Sequence, residues 1–369
     1  MTAALKAYHP LDMDWSAEQL AVLDRIAGWR RKRFPPFLTL GGFAGTGKST
    51  VVAYLAETWG ADAAVCAFTG KAASVLRQKG VSRASTLHSL MYVPVEDAYG
   101  KLRFCKRPFI DAQVIIVDEA SMVSRKLHND LLSFIVPILY AGDHGQLEPF
   151  ETDGFHLMAN PELRLEKIHR QAEDNPILRL ATAFREGRHG TVFEAVRNGW
   201  KDRTGRLRFE RLSNRGCLDG QVICGFNKRR HAINKLIRER RRIRGNLPVV
   251  NETLLCLQNN QDWGIYNGQQ VTVLHVGTMS RFLELTVLTE DGRTITLPCL
   301  PEQFGRNKLD HKDRKIALFD FGYCLTAHKA QGSEWDDVTV IEEICDKWDA
   351  RRWRYTAATR ARNKLVYCW

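Results

Sequence analysis

G-G-F-A-G-T-G-K-S-T, residues 41–50, is the stretch whose reading decides the fold. From Gly42 it fits G-x-x-x-x-G-K-[S/T]. An apolar run at 37–40 precedes it and a helix-like run at 51–57 follows, which is the strand–loop–helix setting the pattern needs. The glycines let the backbone curl until successive N–H groups face one point, and the helix start behind them adds its positive dipole end. A nucleoside triphosphate fits there, with Lys48 reaching the β- and γ-phosphates and the Ser49 hydroxyl on Mg²⁺. Gly42, Gly45, Thr46, Gly47, Lys48, Ser49 and Thr50 are the expected binding set, with ATP and Mg²⁺ as its ligands. A Gly-rich turn without a ligand is the plainer alternative, but it gives Lys-Ser at a helix start no purpose.

Outward from this loop, three more apolar runs end in polar residues. A-A-V-C-A-F at 63–68 leads into Thr69-Gly70-Lys71, V-I-I-V at 114–117 delivers Asp118-Glu119, and 135–140 delivers Gly142-Asp143-His144-Gly145-Gln146. Continuous apolar runs of strand length suit a parallel sheet buried on both faces. Strand then helix, repeated, predicts a doubly wound α/β unit with its ligand at the strand C-termini. Asp118 is expected to hold Mg²⁺ through its water shell, and Glu119 to accept a proton from the attacking water. Helix-capping carboxylates are the alternative. Gln146 is expected to sense the γ-phosphate, because an amide both donates and accepts; a structural glutamine is the alternative.

The rest of the chain divides by texture. Residues 16–28 read as an amphipathic helix capped by Ser16, and 92–110 as a hairpin. A second α/β unit is expected from about 163, with a helix at 177–185, a strand at 221–226 and a helix at 228–244 capped by Asn227. Residues 253–319 turn all-β, with Asn267-Gly268 and Asp291-Gly292 as turn signals for a small barrel. Texture returns to α/β at 321–369. The expected division is therefore 1–162, then 163–252 with 320–369, then an inserted 253–319.

The 369 residues are enough for two to four compact units. Net charge is +12, clustered at 30–33, 229–230, 238–244 and 351–354, which favours a polyanion and above all nucleic acid. No run approaches the roughly 18 uncharged apolar residues of a membrane helix. The N-terminus lacks a signal peptide's apolar core. Nine cysteines without a C-x-x-C pair argue against zinc or iron–sulfur and suit a reducing cytosol, bacterial or phage-infected.

An ordered set of motifs now resembles a superfamily 1 helicase of the RecD/Dda type, a 5′-to-3′ subfamily. The matching pieces are Glu18-Gln19, G-F-A-G-T-G-K-S-T, F-T-G-K-A-A, T-L-H-S-L, V-D-E-A-S-M-V, G-D-H-G-Q-L-E-P, His169-Arg170-Gln171, L-T-A-H-K-A-Q-G-S-E-W from Leu325, and Y-T-A-A-T-R-A-R from Tyr355. The resemblance implies two RecA-like domains, a β-hairpin insertion at 92–110 that acts as a strand-separating pin, and an SH3-like barrel at 253–319. It implies that Gln19 reads the adenine edge and that Arg170 and Arg360 are arginine fingers on the γ-phosphate. Gly332 and Glu334 would touch the nucleotide, and Thr69, Lys71, His88, His328 and Lys329 would lie along the DNA strand. Tyr99 and Phe104 are candidates to stack at the fork junction, with core packing as the alternative; a hydrogen-bonded core histidine is the alternative for His88 and His328. Glu148 stands where the family usually has a second proline, Ser49 where it usually has Thr, and the hairpin is short.

The expected function is an ATP-dependent DNA helicase moving 5′ to 3′ on single strands, in replication, recombination or repair. It would act as a monomeric minimal motor on single-stranded and fork DNA, beside a single-strand-binding protein or replisome component. The alternatives are a translocase that displaces proteins with weak unwinding, an ATP-gated nucleic-acid switch, and an RNA substrate.

Overall fold

The computed structural model describes residues 15–96, 102–148, 155–167, 174–211, 218–260, 263–290, 292–307, 309, 316–346 and 348–369. They form two compact units, Met1–Glu173 and Asp174–Trp369.

In the first unit the strands are β1 (Phe37–Gly42), β2 (Ala63–Ala67), β3 (Ser85–Thr86), the pair β4 (Tyr92–Glu96) and β5 (Leu102–Lys106), then β6 (Val114–Asp118), β7 (Ile138–Gly142) and β8 (Leu163–Leu165). Six of them make one sheet, ordered β3-β2-β6-β7-β1-β8, with every pair parallel. All five positions of β6 and of β7 are buried, as strands covered on both faces require. Helices α1 (Ala17–Lys32), α2 (Lys48–Trp59), α3 (Gly70–Gln78), α4 (Leu87–Met91) and α5 (Arg125–Leu132) complete the unit. Ile115 and Phe37 both align with Ile138, so β1, β6 and β7 end nearly level and deliver their polar residues at one sheet edge.

The second unit begins with α6 (Pro176–Arg185), α7 (His189–Arg197), β9 (Leu207–Glu210), β10 (Gln221–Cys224) and α8 (Asn227–Arg240). An antiparallel sheet follows, made of β11 (Thr253–Cys256), β12 (Gln270–Met279), β13 (Phe282–Thr289), β14 (Thr294–Cys299) and β15 (Phe319–Phe321), in the order β14-β13-β12-β11-β15. The chain then re-enters the α/β part through β16 (Cys324–Thr326), β17 (Trp335–Ile341), α9 (Ala350–Ala358) and β18 (Ala361–Cys368). Here the order is β16-β10-β17-β18-β9, again all parallel. Val222 and Cys224 share one apolar cluster with Leu254, Val271, Leu285 and Phe319, so the inserted sheet and the parallel sheet have a common core. Buried polar pairs cross the same junction. Arg230 Nη1 lies 2.7 Å from Asp320 Oδ2, and Arg238 donates to Glu252 at 2.8 Å.

The structure corrects several expected boundaries. The first unit runs past 162, because Leu163–Leu165 adds a sixth strand beside β1. The inserted sheet runs past 319, because β15 ends at Phe321 and pairs with β11. The strand expected at 135–140 starts at Ile138: Ile135 sits at φ 58, is 92 % exposed and donates its N–H to the Leu132 carbonyl at 3.1 Å, in a turn that precedes the strand. Helix α8 starts at Asn227, with Phe226 at its cap, and ends at Arg240 rather than 244. Among the described residues no helix is long and apolar enough to cross a membrane.

Candidate phosphate-loop site

The loop between β1 and α2 has the geometry its sequence demands. Gly45 and Gly47 both sit at φ 83, and Gly47 is the cap of α2. A Cβ on Gly42 would lie 2.7 Å from Thr46 Oγ1 and 2.8 Å from Lys48 Cγ, so the loop folds tightly over that position. Thr46 is buried and its hydroxyl donates to the Phe43 carbonyl at 2.8 Å, closing the turn from inside. Lys48 Nζ donates to the same carbonyl at 3.4 Å. Ser49 and Thr50 lie in the first turn of α2, where the Thr50 N–H donates to the Gly47 carbonyl at 3.0 Å. A curled backbone, a twelve-residue helix start and a lysine together fit a polyphosphate.

Asp118 ends β6 one strand from β7 and is 7 % exposed. Burial pushes its pKa up, while the Glu119 N–H at 2.9 Å and the charges of Lys48 and Lys79 oppose that rise. Such a carboxylate gains from a cation nearby, which fits the chemistry of a Mg²⁺ site at Asp118 and Ser49. Glu119 sits at φ 54, a conformation its side chain disfavours, and strain of this kind gathers at functional sites. Gln146 is 4 % exposed and its amide donates to Asp143 Oδ2 at 3.4 Å. Asp143 also accepts from the Gly145 N–H at 2.9 Å, and its carbonyl accepts from the Ser121 hydroxyl at 2.8 Å. Asp143, with Ser121, was not singled out from the sequence, although it carries the same signal as Asp118: a carboxylate directly after a buried strand. Glu148, in the place of the family's proline, lies 2.9 Å from His156 Nδ1, which ties this loop down by another route.

Gln19 is the third residue of α1, and its Oε1 accepts from the Ser16 N–H at 3.1 Å while Ser16 Oγ accepts from the Gln19 N–H. That reciprocal box holds the helix start, a role additional to the expected base contact. Neighbouring Glu18 accepts from the Glu166 and Lys167 N–H groups at 3.0 and 3.2 Å, so α1 grips the chain leaving β8.

Among the residues expected along a nucleic acid, Thr69 caps α3 by accepting from the Ala72 N–H at 3.1 Å, and Lys71 is 8 % exposed. His88 is exposed and sits edge-on to Phe68. Phe104, on β5, is 62 % exposed, so it presents a ring to solvent. Lys106 at the base of the β4–β5 hairpin donates to Ser133 Oγ at 2.7 Å. Tyr99 and Arg170, with His169 and Gln171, lie outside the described residues.

The second unit brings Arg360, Gly332 and Glu334 into one neighbourhood. Arg360 donates from Nε to the Thr356 carbonyl, from Nη1 to the Ser333 carbonyl and from Nη2 to Thr359 Oγ1, each at 3.0 Å. It is 3 % exposed, so its guanidinium is held against its own unit. Gly332 sits at φ 72, and Glu334 pairs with Arg362 at 3.1 Å. His328 and Lys329 follow β16 at the other end of this sheet, and Lys329 N–H donates to Thr326 Oγ1 at 3.4 Å. Burial pushes the His328 pKa down to about 4, so its ring is neutral at pH 7.

Residues 14–209 match the AAA domain family, and residues 321–368 the UvrD-like helicase C-terminal domain. The ATP-dependent RecD2 DNA helicase of Deinococcus radiodurans is 30% identical over 380 residues, covering 95% of this chain and 48% of the relative. The ATP-dependent DNA helicase dda of Enterobacteria phage T4 is 30% identical over 169 residues, covering 41% of this chain and 38% of that protein. The chain thus spans less than half the length of these two relatives. Among solved structures, Pif1 helicases at forked dsDNA match with TM-score 0.66 and 19% identity, covering 96% of this chain and 92% of theirs. The Bacteroides Pif1 helicase with ADP-AlF3 and ssDNA matches at 0.65 and 20% identity, with the same coverage.

Proposed function

The chain belongs to the AAA domain family, in the RecD/Dda group of superfamily 1B helicases, and from that premise we propose that it is an ATP-dependent DNA helicase moving 5′ to 3′ on single strands. The observation that carries this is the level alignment of β1, β6 and β7, which gathers Lys48, Asp118 and Gln146 at one sheet edge. Bound ATP with Mg²⁺ supplies the phosphoanhydride whose cleavage drives the cycle. Lys48 and the N–H groups of Gly45, Gly47, Lys48 and Ser49 neutralise phosphate charge. Ser49 and Asp118 would hold the metal, Glu119 would take the proton of the attacking water, and Gln146 would sense the γ-phosphate, donating to a phosphate oxygen and accepting from water. Gln19 receives the base. Arg360 and Arg170 supply cations to the developing charge, a contribution of about 10³–10⁵ in rate for such fingers. Gly332 and Glu334 complete that side.

Thr69, Lys71, His88, His328 and Lys329 form the proposed DNA track, with Phe104 and Tyr99 stacking at the fork. The 62 % exposure of Phe104 supports the stacking role. An SH3-like barrel for the inserted sheet is supported by the bridge between Cys299 and Ala317, which links β14 at one edge to the chain entering β15 at the other. The reading extends to a cytoplasmic monomer on single-stranded and fork DNA, beside a single-strand-binding protein or replisome component, in replication, recombination or repair.

The test is unwinding of partial duplexes that carry a 5′ or a 3′ single-stranded tail, with and without ATP. ATP-dependent opening from the 5′ tail alone is the expected result. Opening from the 3′ tail alone overturns the polarity, and DNA-stimulated hydrolysis without opening favours a translocase that displaces bound proteins.

A further inference from the structure

Strands β17 and β18 do not pair regularly at their start. Trp335 aligns with Ala361, but Asp337 aligns with Lys364, so β18 carries one extra residue in the span Arg362-Asn363. A bulge takes carbonyls off the ladder and leaves them to find other donors. Both find the same one. Arg206 donates from Nη2 to the Arg362 carbonyl at 3.0 Å and from Nε to the Asn363 carbonyl at 3.1 Å. The Arg206 carbonyl in turn accepts from the Leu365 N–H at 2.7 Å, just past the bulge. A planar guanidinium fork suits two successive carbonyls in a way that a single ammonium does not.

Arg206 is itself built into position. The Asp202 carboxylate accepts from the Thr204 N–H at 3.1 Å and hydroxyl at 2.7 Å, and from the Arg206 and Leu207 N–H groups at 2.9 and 3.0 Å. That turn delivers Arg206 to the start of β9, the neighbour of β18. On the opposite side, the Trp335 N–H donates to the Arg360 carbonyl at 2.9 Å, and Arg362 pairs with Glu334. Arg360 therefore sits one residue before a bulge whose carbonyls are clamped from 156 and 157 residues upstream. Without the clamp, β18 can absorb its extra residue by slipping one position against β17. A one-residue slip turns each side chain of the slipped segment to the other face.

We propose that Arg206 is a positioning residue for Arg360, holding the β18 bulge that aims the arginine finger. This rests on the reading of Arg360 as a finger. The experiment measures DNA-stimulated ATP hydrolysis of the full chain for Arg206→Ala, Arg206→Lys, Arg360→Ala and the double variant. Arg206→Ala is expected to lower kcat by about 10- to 100-fold, as a small misplacement of a catalytic group does, with KM for ATP nearly unchanged. Arg206→Lys recovers part of the rate, because one ammonium reaches one carbonyl. Millimolar guanidinium chloride raises the rate of Arg206→Ala, while sodium chloride at equal ionic strength does not. In the Arg360→Ala background, loss of Arg206 costs nothing further, because both act through one group. A wild-type kcat in Arg206→Ala while Arg360→Ala is slow overturns the proposal alone, and so do losses that multiply in the double variant. A wild-type rate in Arg360→Ala removes the finger assignment itself, and the proposal with it.

Discussion

Gly42 carries a steric demand at the start of the phosphate loop. A methyl there meets Thr46 Oγ1 at 2.7 Å and Lys48 Cγ at 2.8 Å, so the loop has to open. Gly42→Ala is expected to weaken nucleotide binding by about tenfold or more while the unit stays folded; titration with a fluorescent ATP analogue checks this, and wild-type affinity would contradict the cradle. Lys48→Ala should abolish hydrolysis and leave single-strand DNA binding largely intact, read by phosphate release and by anisotropy; turnover at the wild-type rate would sink the site. His328 supplies a pH dependence. Its folded pKa of about 4 lies below its ordinary value of 6.5, so the unfolded chain takes up the proton first as pH falls. The stability contribution is therefore full above 6.5 and is lost between 6.5 and about 4. Burial also lowers the pKa of His128 and His231, so acid unfolding is shared among them. His328→Gln should lessen, not abolish, the fall in Tm over that window. At this scale the sequence made the placement of Lys48, Asp118 and Gln146 legible, because each follows a buried strand or opens a helix. It was less legible for Gln19, whose capping box with Ser16 holds the helix start in addition to the proposed base contact.

The elements of the second unit are joined through buried charge. Arg230 and Asp320 are 2 % and 0 % exposed in their side chains, and Asp320 Oδ1 also accepts from the Gly305 N–H at 2.8 Å. Arg230→Met leaves that carboxylate buried without its cation and is expected to cost about 3–5 kcal/mol. Adding Asp320→Asn should restore part of the loss, since breaking a buried pair costs more than removing both charges. Urea unfolding of the two variants decides this; equal losses would mean that the charge is not what binds α8 to the inserted sheet. Patterning revealed that such a sheet exists, through alternation in β13 and the Asn267-Gly268 turn signal. It did not reveal that β15 belongs to the sheet or that β8 belongs to the first unit. Three-residue strands are too short to show a period, and their pairing partners lie far off in sequence.

For the whole chain, the +12 charge sets how a nucleic acid is held. Single-strand binding should weaken linearly on a log–log salt plot, with a slope of about −0.7 per neutralised phosphate, and show little sequence preference. Salt-independent binding would contradict a track along the backbone. The amino-acid order by itself determined that the chain carries a phosphate loop, two parallel α/β sheets and an inserted antiparallel module. These follow from spacing within one strand, one turn or one helix, where neighbours along the chain are also neighbours in space. Only the tertiary structure decided that β1, β6 and β7 end level around the loop. The same holds for the orientation of Arg360 by Thr356, Ser333 and Thr359, and for the bulge after it, held from Arg206. Two of the Arg360 bonds are local, but its bond to Ser333 spans 27 residues, and the strand alignment and the clamp depend on pairings from about two dozen to more than a hundred residues apart. A bulge is one residue of register, and register is set by the partner strand and its donors, which no local pattern records.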